Sequence, residues 1–73
     1  MVDKKNMENT IGDKIKIWRK KKGLTQDALS KKADIPYTTL AKIESNVITN
    51  PSLQTITKVA RGLEVGFDDL INV

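Results

Sequence analysis

The sequence predicts an all-α fold, a compact bundle of five short helices, and three observations lead there. Apolar residues recur at spacings of three and four in successive stretches. A capping residue or a proline opens the first four stretches, and Gly, Asn or Asp stands in the turns that separate them. No stretch alternates apolar and polar residues as a half-buried strand would. In the first helix Thr10 serves as N-cap and Asp13 sits near the positive end of the dipole. Ile11, Ile15 and Trp18 form the inward stripe, and Gly23 stops the helix in a left-handed turn. Thr25 caps a second helix over residues 26–33 with Ala28, Leu29 and Ala33 inward, and residues 34–36 make a tight turn. Pro36 suits the first turn of a third helix, because the N–H it lacks would have no partner there. That helix spans about residues 36–45, with Leu40 and Ile43 inward and Asn46 as its left-handed stop. Residues 47–51 form a loop. Ser52 caps a fourth helix with a stripe of Leu53, Ile56, Val59, Ala60 and Leu63, and Gly66 separates it from a last turn at residues 67–71. Residues 1–9 are polar and aperiodic and are read as a flexible tail, leaving residues 10–73 as the domain.

Composition narrows the function. A chain of 73 residues buries only about 60% of its unfolded surface, so its stability is marginal. Without Cys or His there are no disulfides, no thiol chemistry and no histidine base or metal ligand. No glycine-rich phosphate loop is present either, so nothing in the chain invites an enzymatic reading and no cofactor or metal is expected. No apolar run reaches the roughly 20 residues of a membrane span, and residues 1–10 lack the apolar core of a signal peptide. The expected location is the cytoplasm. The net charge of +4 is modest, but Lys14, Lys16, Arg19, Lys20, Lys21, Lys22, Lys31 and Lys32 all lie in the first half. A polyanion would therefore meet that half, unless these lysines are simply solvated.

The informative unit spans residues 26–43, two helices joined by a three-residue turn. Leu29, Ala33, Ile35, Leu40 and Ile43 fill the apolar positions that a steep, close crossing requires, and Ser30 is the small residue at the crossing. The third helix is left with Tyr37, Thr38, Thr39, Ala41 and Lys42 outward. A helix-turn-helix holds such a face into the major groove, where hydroxyl and ammonium groups read base edges.

From Ile11 to Ile71 the chain resembles the lambda-repressor-like helix-turn-helix domains of the Cro/repressor (XRE) family. The resemblance rests on IGDKIKIWRKKKGLTQDALSKKADI, TTLAKIES, NPSLQTITKVARGLEV and FDDLI, about 60 of the 73 residues. It implies a sequence-specific double-stranded DNA-binding transcriptional regulator, a repressor acting by blocking polymerase. Tyr37, Thr38 and Lys42 stand at the positions that usually reach bases. Gln26 stands where the family clamps a phosphate and braces the recognition helix. Thr25, Thr39, Thr49, Asn50 and Ser52 are further phosphate candidates, and Arg19 and Glu44 match a structural salt bridge. The chain departs from the family pattern with Asp34 at a usual turn glycine, Pro36 at a usual serine cap, Tyr37 at a commonly polar position, and Val47 and Ile48 where some relatives are basic.

Such domains work as two-fold dimers on palindromic operators, half-sites about 34–36 Å apart. The candidate dimer surface is Val65, Phe67, Leu70 and Ile71. With no further domain expected after Val73, the homodimer would be weak or DNA-assisted. Two rival readings stay open: an antitoxin-like module that neutralises a partner protein through Ile17, Val47 and Ile48, and a restriction-modification controller. Trp18 is expected in the core, Lys20, Lys21 and Lys22 either guide DNA or are solvated, and Asp68 and Asp69 complement a helix dipole rather than forming a catalytic pair.

Overall fold

The computed structural model describes residues 10–72, so the tail expected at residues 1–9 lies outside the described residues. Five helices follow in order: α1 (Ile11–Lys21), α2 (Gln26–Ala33), α3 (Tyr37–Glu44), α4 (Leu53–Leu63) and α5 (Phe67–Ile71). Among the described residues there is no strand, and no helix is long and apolar enough to cross a membrane.

Local chemistry sets the helix ends. At α1, Thr10 and Asp13 form a reciprocal capping box: each side chain accepts from the other's backbone N–H. Thr25 and Ser52 cap α2 and α4 by accepting from the N–H groups of Ala28 and Thr55. Pro36 precedes α3 in an extended conformation and supplies no side-chain cap, so α3 begins at Tyr37 rather than at the proline. Gly23, Asp34 and Asn46 take left-handed backbones at the ends of the first three helices. At the fourth, the left-handed residue is Glu64 (φ 60°), while Gly66 is extended and acts as the N-cap of α5. The glycine thus separates the helices from the entry side, and the strained position falls on a residue with no special tolerance for it.

Ile15, Leu29, Ala33, Leu40, Ile43, Val59, Ala60, Leu63 and Leu70 form one core, with Ile11, Trp18, Leu24, Ile35, Ile48, Ile56 and Val65 packed around it. Four sequence expectations need correction. Leu53 is 68% exposed rather than inward. It lies in the first turn of α4, about 70° from the centre of the stripe at 100° per residue. Ala28 is only half-buried, on the flank of α2. Ile48 packs on the core as its N–H bonds to the Lys42 carbonyl (3.0 Å), and so is no free handle for a partner. Leu70 is fully buried in the single chain and leaves the candidate dimer surface. It anchors α5, whose last carbonyls accept from α1: Trp18 Nε1 donates to Asp69 (3.2 Å) and Lys14 Nζ donates to Ile71.

Two glycines inside helices permit close approach. A Cβ on Gly12 would lie 2.0 Å from the Ile43 carbonyl oxygen, and one on Gly62 would lie 2.9 Å from the Ala33 nitrogen. The α1–α3 and α4–α2 contacts therefore run backbone against backbone. Glycine in a helix interior costs about 1 kcal/mol relative to alanine. The packing it allows explains why it stands there.

Candidate nucleic-acid interface

The turn between α2 and α3 is fixed by three devices. Asp34 adopts the left-handed conformation (φ 59°), which a short polar residue tolerates. The Ile35 N–H then reaches the Ser30 carbonyl (3.0 Å), and the Ile35 side chain packs on the core. Ser30, buried at the crossing, satisfies its hydroxyl by donating to the Asp27 carbonyl (2.8 Å).

On α3, Leu40, Ile43 and Glu44 are buried, and their spacing of three and four leaves the opposite face free. Thr38 and Lys42 are exposed on that face, Tyr37 is exposed in the first turn at its edge, on the Glu44 side, and Thr39 is half-buried. Thr38 and Lys42, four residues apart, project together. Thr25, Thr49, Asn50 and Ser52 are exposed as well, while Gln26 is half-buried. The hydroxyl oxygens of Thr25 and Ser52 are engaged as caps, and Ser52 also shares a hydrogen bond with the Thr55 hydroxyl (2.9 Å).

Behind this face lies a buried polar assembly. Arg19 and Glu44 form a two-pronged ion pair: Nε donates to Oε2 at 2.8 Å and Nη2 donates to Oε1 at 3.0 Å. The Glu44 side chain is 1% exposed and that of Arg19 14%. Arg19 Nη1 also donates to the Leu24 carbonyl (2.8 Å), and Gln26 Nε2 donates to Glu44 Oε1 (3.1 Å). Tyr37 completes the set, its hydroxyl 3.2 Å from Gln26 Oε1. Residues of α1, the α1–α2 connection, α2 and α3 thus share one hydrogen-bond network, and no described buried side-chain polar atom lacks a partner. A satisfied network of this kind rigidifies the elements that it joins.

A second polar cluster ties α1 to the end of α3. The Thr10 hydroxyl donates to Asn46 Oδ1 (2.6 Å), and Asn46 Nδ2 donates to Asp13 Oδ1 (3.4 Å). The register of the exposed face is therefore held at both ends of α3. Resemblance to the family supplies the Arg19–Glu44 pair and a bracing role for Gln26, but not the hydrogen bonds that join Gln26 to Glu44 and to Tyr37. The available signal was the start of α2 and the start of α3 facing each other across a three-residue turn.

The basic residues are spread unevenly. Lys31 pairs with Asp27 on the surface of α2 (3.2 Å), Lys32 meets Glu64 (3.6 Å), and Lys21 and Lys22 lie over the Trp18 ring at 5.2 and 5.9 Å. Lys42 stands exposed in the last turn of α3. Of the residues first grouped as an apolar patch near the C-terminus, Phe67 is 40% exposed while Val65 and Ile71 are half-buried.

Comparison with known proteins agrees with this geometry. Residues 15–70 match the helix-turn-helix family. The chain is 42% identical over 62 residues to the HTH-type transcriptional regulator SinR of Bacillus licheniformis, covering 85% of this chain and 56% of that protein. It is 40% identical to SinR of Bacillus subtilis (strain 168) over the same share of each. It is 39% identical to the regulator SlrR of that strain, over 85% of this chain and 41% of the relative. The chain thus spans about half the length of these curated relatives. A crystal structure of SinR, the master regulator for biofilm formation, in complex with DNA superposes with a TM-score of 0.79 at 40% identity, covering 85% of this chain and 98% of that one. The N-terminal DNA-binding domain of SinR from Bacillus subtilis superposes at 0.77 with 41% identity, covering 84% and 88%. The chain belongs to the helix-turn-helix family, in its lambda-repressor-like (XRE) branch.

Proposed function

We propose that this chain is a sequence-specific double-stranded DNA-binding transcriptional regulator, a repressor, that works with α3 in the major groove. The observation that carries this reading is the outward face of α3 (Tyr37, Thr38 and Lys42) held from behind by the Arg19–Glu44–Gln26 network. A base-reading helix must be placed within fractions of an ångström, and a rigid scaffold meets that need. The superposition on SinR from a DNA complex supports the same reading.

In this account Tyr37, Thr38 and Lys42 meet base edges. Thr25, Gln26, Thr39, Thr49, Asn50 and Ser52 fix the register on the phosphates. Gln26 keeps one amide hydrogen free after serving Glu44, and the Thr25 hydroxyl proton is free once its oxygen has capped α2. The protein acts in the cytoplasm without a cofactor or a catalytic role. Two copies occupy a palindromic operator as a weak or DNA-assisted homodimer, using the exposed Phe67 with the flanking Val65 and Ile71.

Selection of bound duplexes from a random library, followed by titration of the best sequence across a salt series, tests this reading. The expected result is a palindrome with half-sites one helical turn apart and an affinity that falls steeply with salt. Failure to enrich any sequence would refute it.

A further inference from the structure

The network behind α3 also fixes hydrogen-bond polarity at the DNA-facing surface. A guanidinium only donates and a carboxylate only accepts, so the buried end of the chain leaves no choice. Glu44 accepts from Arg19, and the Gln26 amide must turn its nitrogen toward Glu44 Oε1 (3.1 Å). The Gln26 oxygen then faces the Tyr37 hydroxyl at 3.2 Å, and that hydroxyl must donate its one proton inward. The phenol oxygen retains its lone pairs, on a side chain that is 49% exposed at the start of α3.

We infer that Tyr37 is a specificity-determining residue whose hydroxyl meets DNA as an acceptor only, selecting adenine or cytosine over guanine or thymine at the base edge beneath it. An unconstrained tyrosine hydroxyl rotates and serves as donor or acceptor, and so discriminates poorly. Here the proton is committed to Gln26. In the major groove the donors are the N6 amino group of adenine and the N4 amino group of cytosine. Guanine presents N7 and O6, and thymine O4, all acceptors that would confront the Tyr37 lone pairs. Glu44, buried and remote from solvent, thereby sets the sign of a contact made by a residue that it does not touch. The inference rests on the major-groove reading above.

The test carries the full chain and its Tyr37→Phe variant through the same duplex selection. The expected result is one position per half-site where the native chain enriches A or C and the variant does not, with the remaining positions unchanged. Replacing that adenine by purine, or that cytosine by 2-pyrimidinone, removes only the amino group. The replacement should weaken native binding roughly 2- to 12-fold, the range of one hydrogen bond, and leave the variant unaffected. G or T at the differing position overturns the inference, as does an identical preference in both proteins. A uniform loss on all sequences also overturns it, since Tyr37 would then act only by bracing Gln26. If the variant does not fold, the base analogues on the native chain decide alone. Absence of any enriched duplex from the native chain would remove the DNA-reading account itself, an outcome distinct from an enriched duplex that ignores the amino group.

Discussion

Alanine at Gly12 should destabilise the protein even though alanine is the better helix former. The residue lies inside α1, where the exchange alone would gain about 1 kcal/mol. The added Cβ, however, would stand 2.0 Å from the Ile43 carbonyl oxygen and 3.0 Å from Asn46 Oδ1. Ordinary carbon–oxygen contacts lie at about 3.3–3.6 Å, so α1 must retreat from α3 by roughly 1.3 Å or more. That movement unseats Ile15, which is fully buried one turn further along, and strains the Thr10–Asn46 hydrogen bond at 2.6 Å. Overpacking of a close-packed site costs about 1–3 kcal/mol and occasionally more, and the partial void around Ile15 adds to it. After subtracting the propensity gain, a net loss of up to about 2 kcal/mol remains, to which the void around Ile15 adds. For a domain of 60–100 residues a loss of about 1–2 kcal/mol lowers Tm by about 4–16 °C. Thermal and urea unfolding followed by far-ultraviolet circular dichroism measure the effect. A Tm equal to or above that of the parent would refute the claim that α1 and α3 meet backbone to backbone.

Removing Arg19 as Ala leaves the Glu44 carboxylate buried without its counter-charge, a change that costs about 3–5 kcal/mol. A chain of 73 residues has roughly 4–11 kcal/mol in total, so the variant loses about a third or more of its stability, and an unfolding midpoint unchanged in urea would contradict the burial of the pair. Lys42→Ala should lower affinity for the selected duplex by about 1–3 kcal/mol while leaving Tm unchanged, because the side chain is exposed. Equal discrimination between selected and scrambled DNA in that variant would remove Lys42 from the base-reading set. Gln26→Ala should weaken binding to every sequence and relax the preference only at the base beneath Tyr37, whose hydroxyl it releases; a changed preference at any other position in a second selection would contradict its phosphate role.

The boundaries of the helices were legible because they depend on local chemistry. Thr10, Thr25 and Ser52 hold their helices by side-chain caps within three residues, and Gly23, Asp34 and Asn46 turn the chain where short or absent side chains permit it. Most of the core was legible from periodicity, and Leu53 marks where that argument ends. A residue at the edge of the stripe and in a first turn belongs to the pattern but not to the interior. What the sequence hid depends on distances between helices. Glu64 carries no signal for its left-handed backbone, and Leu70 read as surplus apolar surface because nothing local tells that α5 folds back onto α1. Gly12 and Gly62 answer to close approaches between helices, which no local pattern of residues carries.

The interface divides in the same way. The outward face of α3 follows from the inward spacing of Leu40 and Ile43, and resemblance to relatives supplied the Arg19–Glu44 pair. The linkage through Gln26 to Tyr37 arises only when the turn brings the first residues of α2 and α3 within hydrogen-bond reach. The Tyr37 hydroxyl is what extends the buried network to the surface.

The measurement that bears most directly on the central claim is mapping of backbone amide chemical shifts in the nitrogen-15-labelled chain as the selected duplex is added. The account predicts the largest changes at Thr25, Gln26, Tyr37, Thr38 and Lys42, with a second group at residues 49–52 and little change in α4 beyond its first turn. Changes confined to α5 around Phe67, with α3 unaffected, would contradict a recognition helix in the major groove.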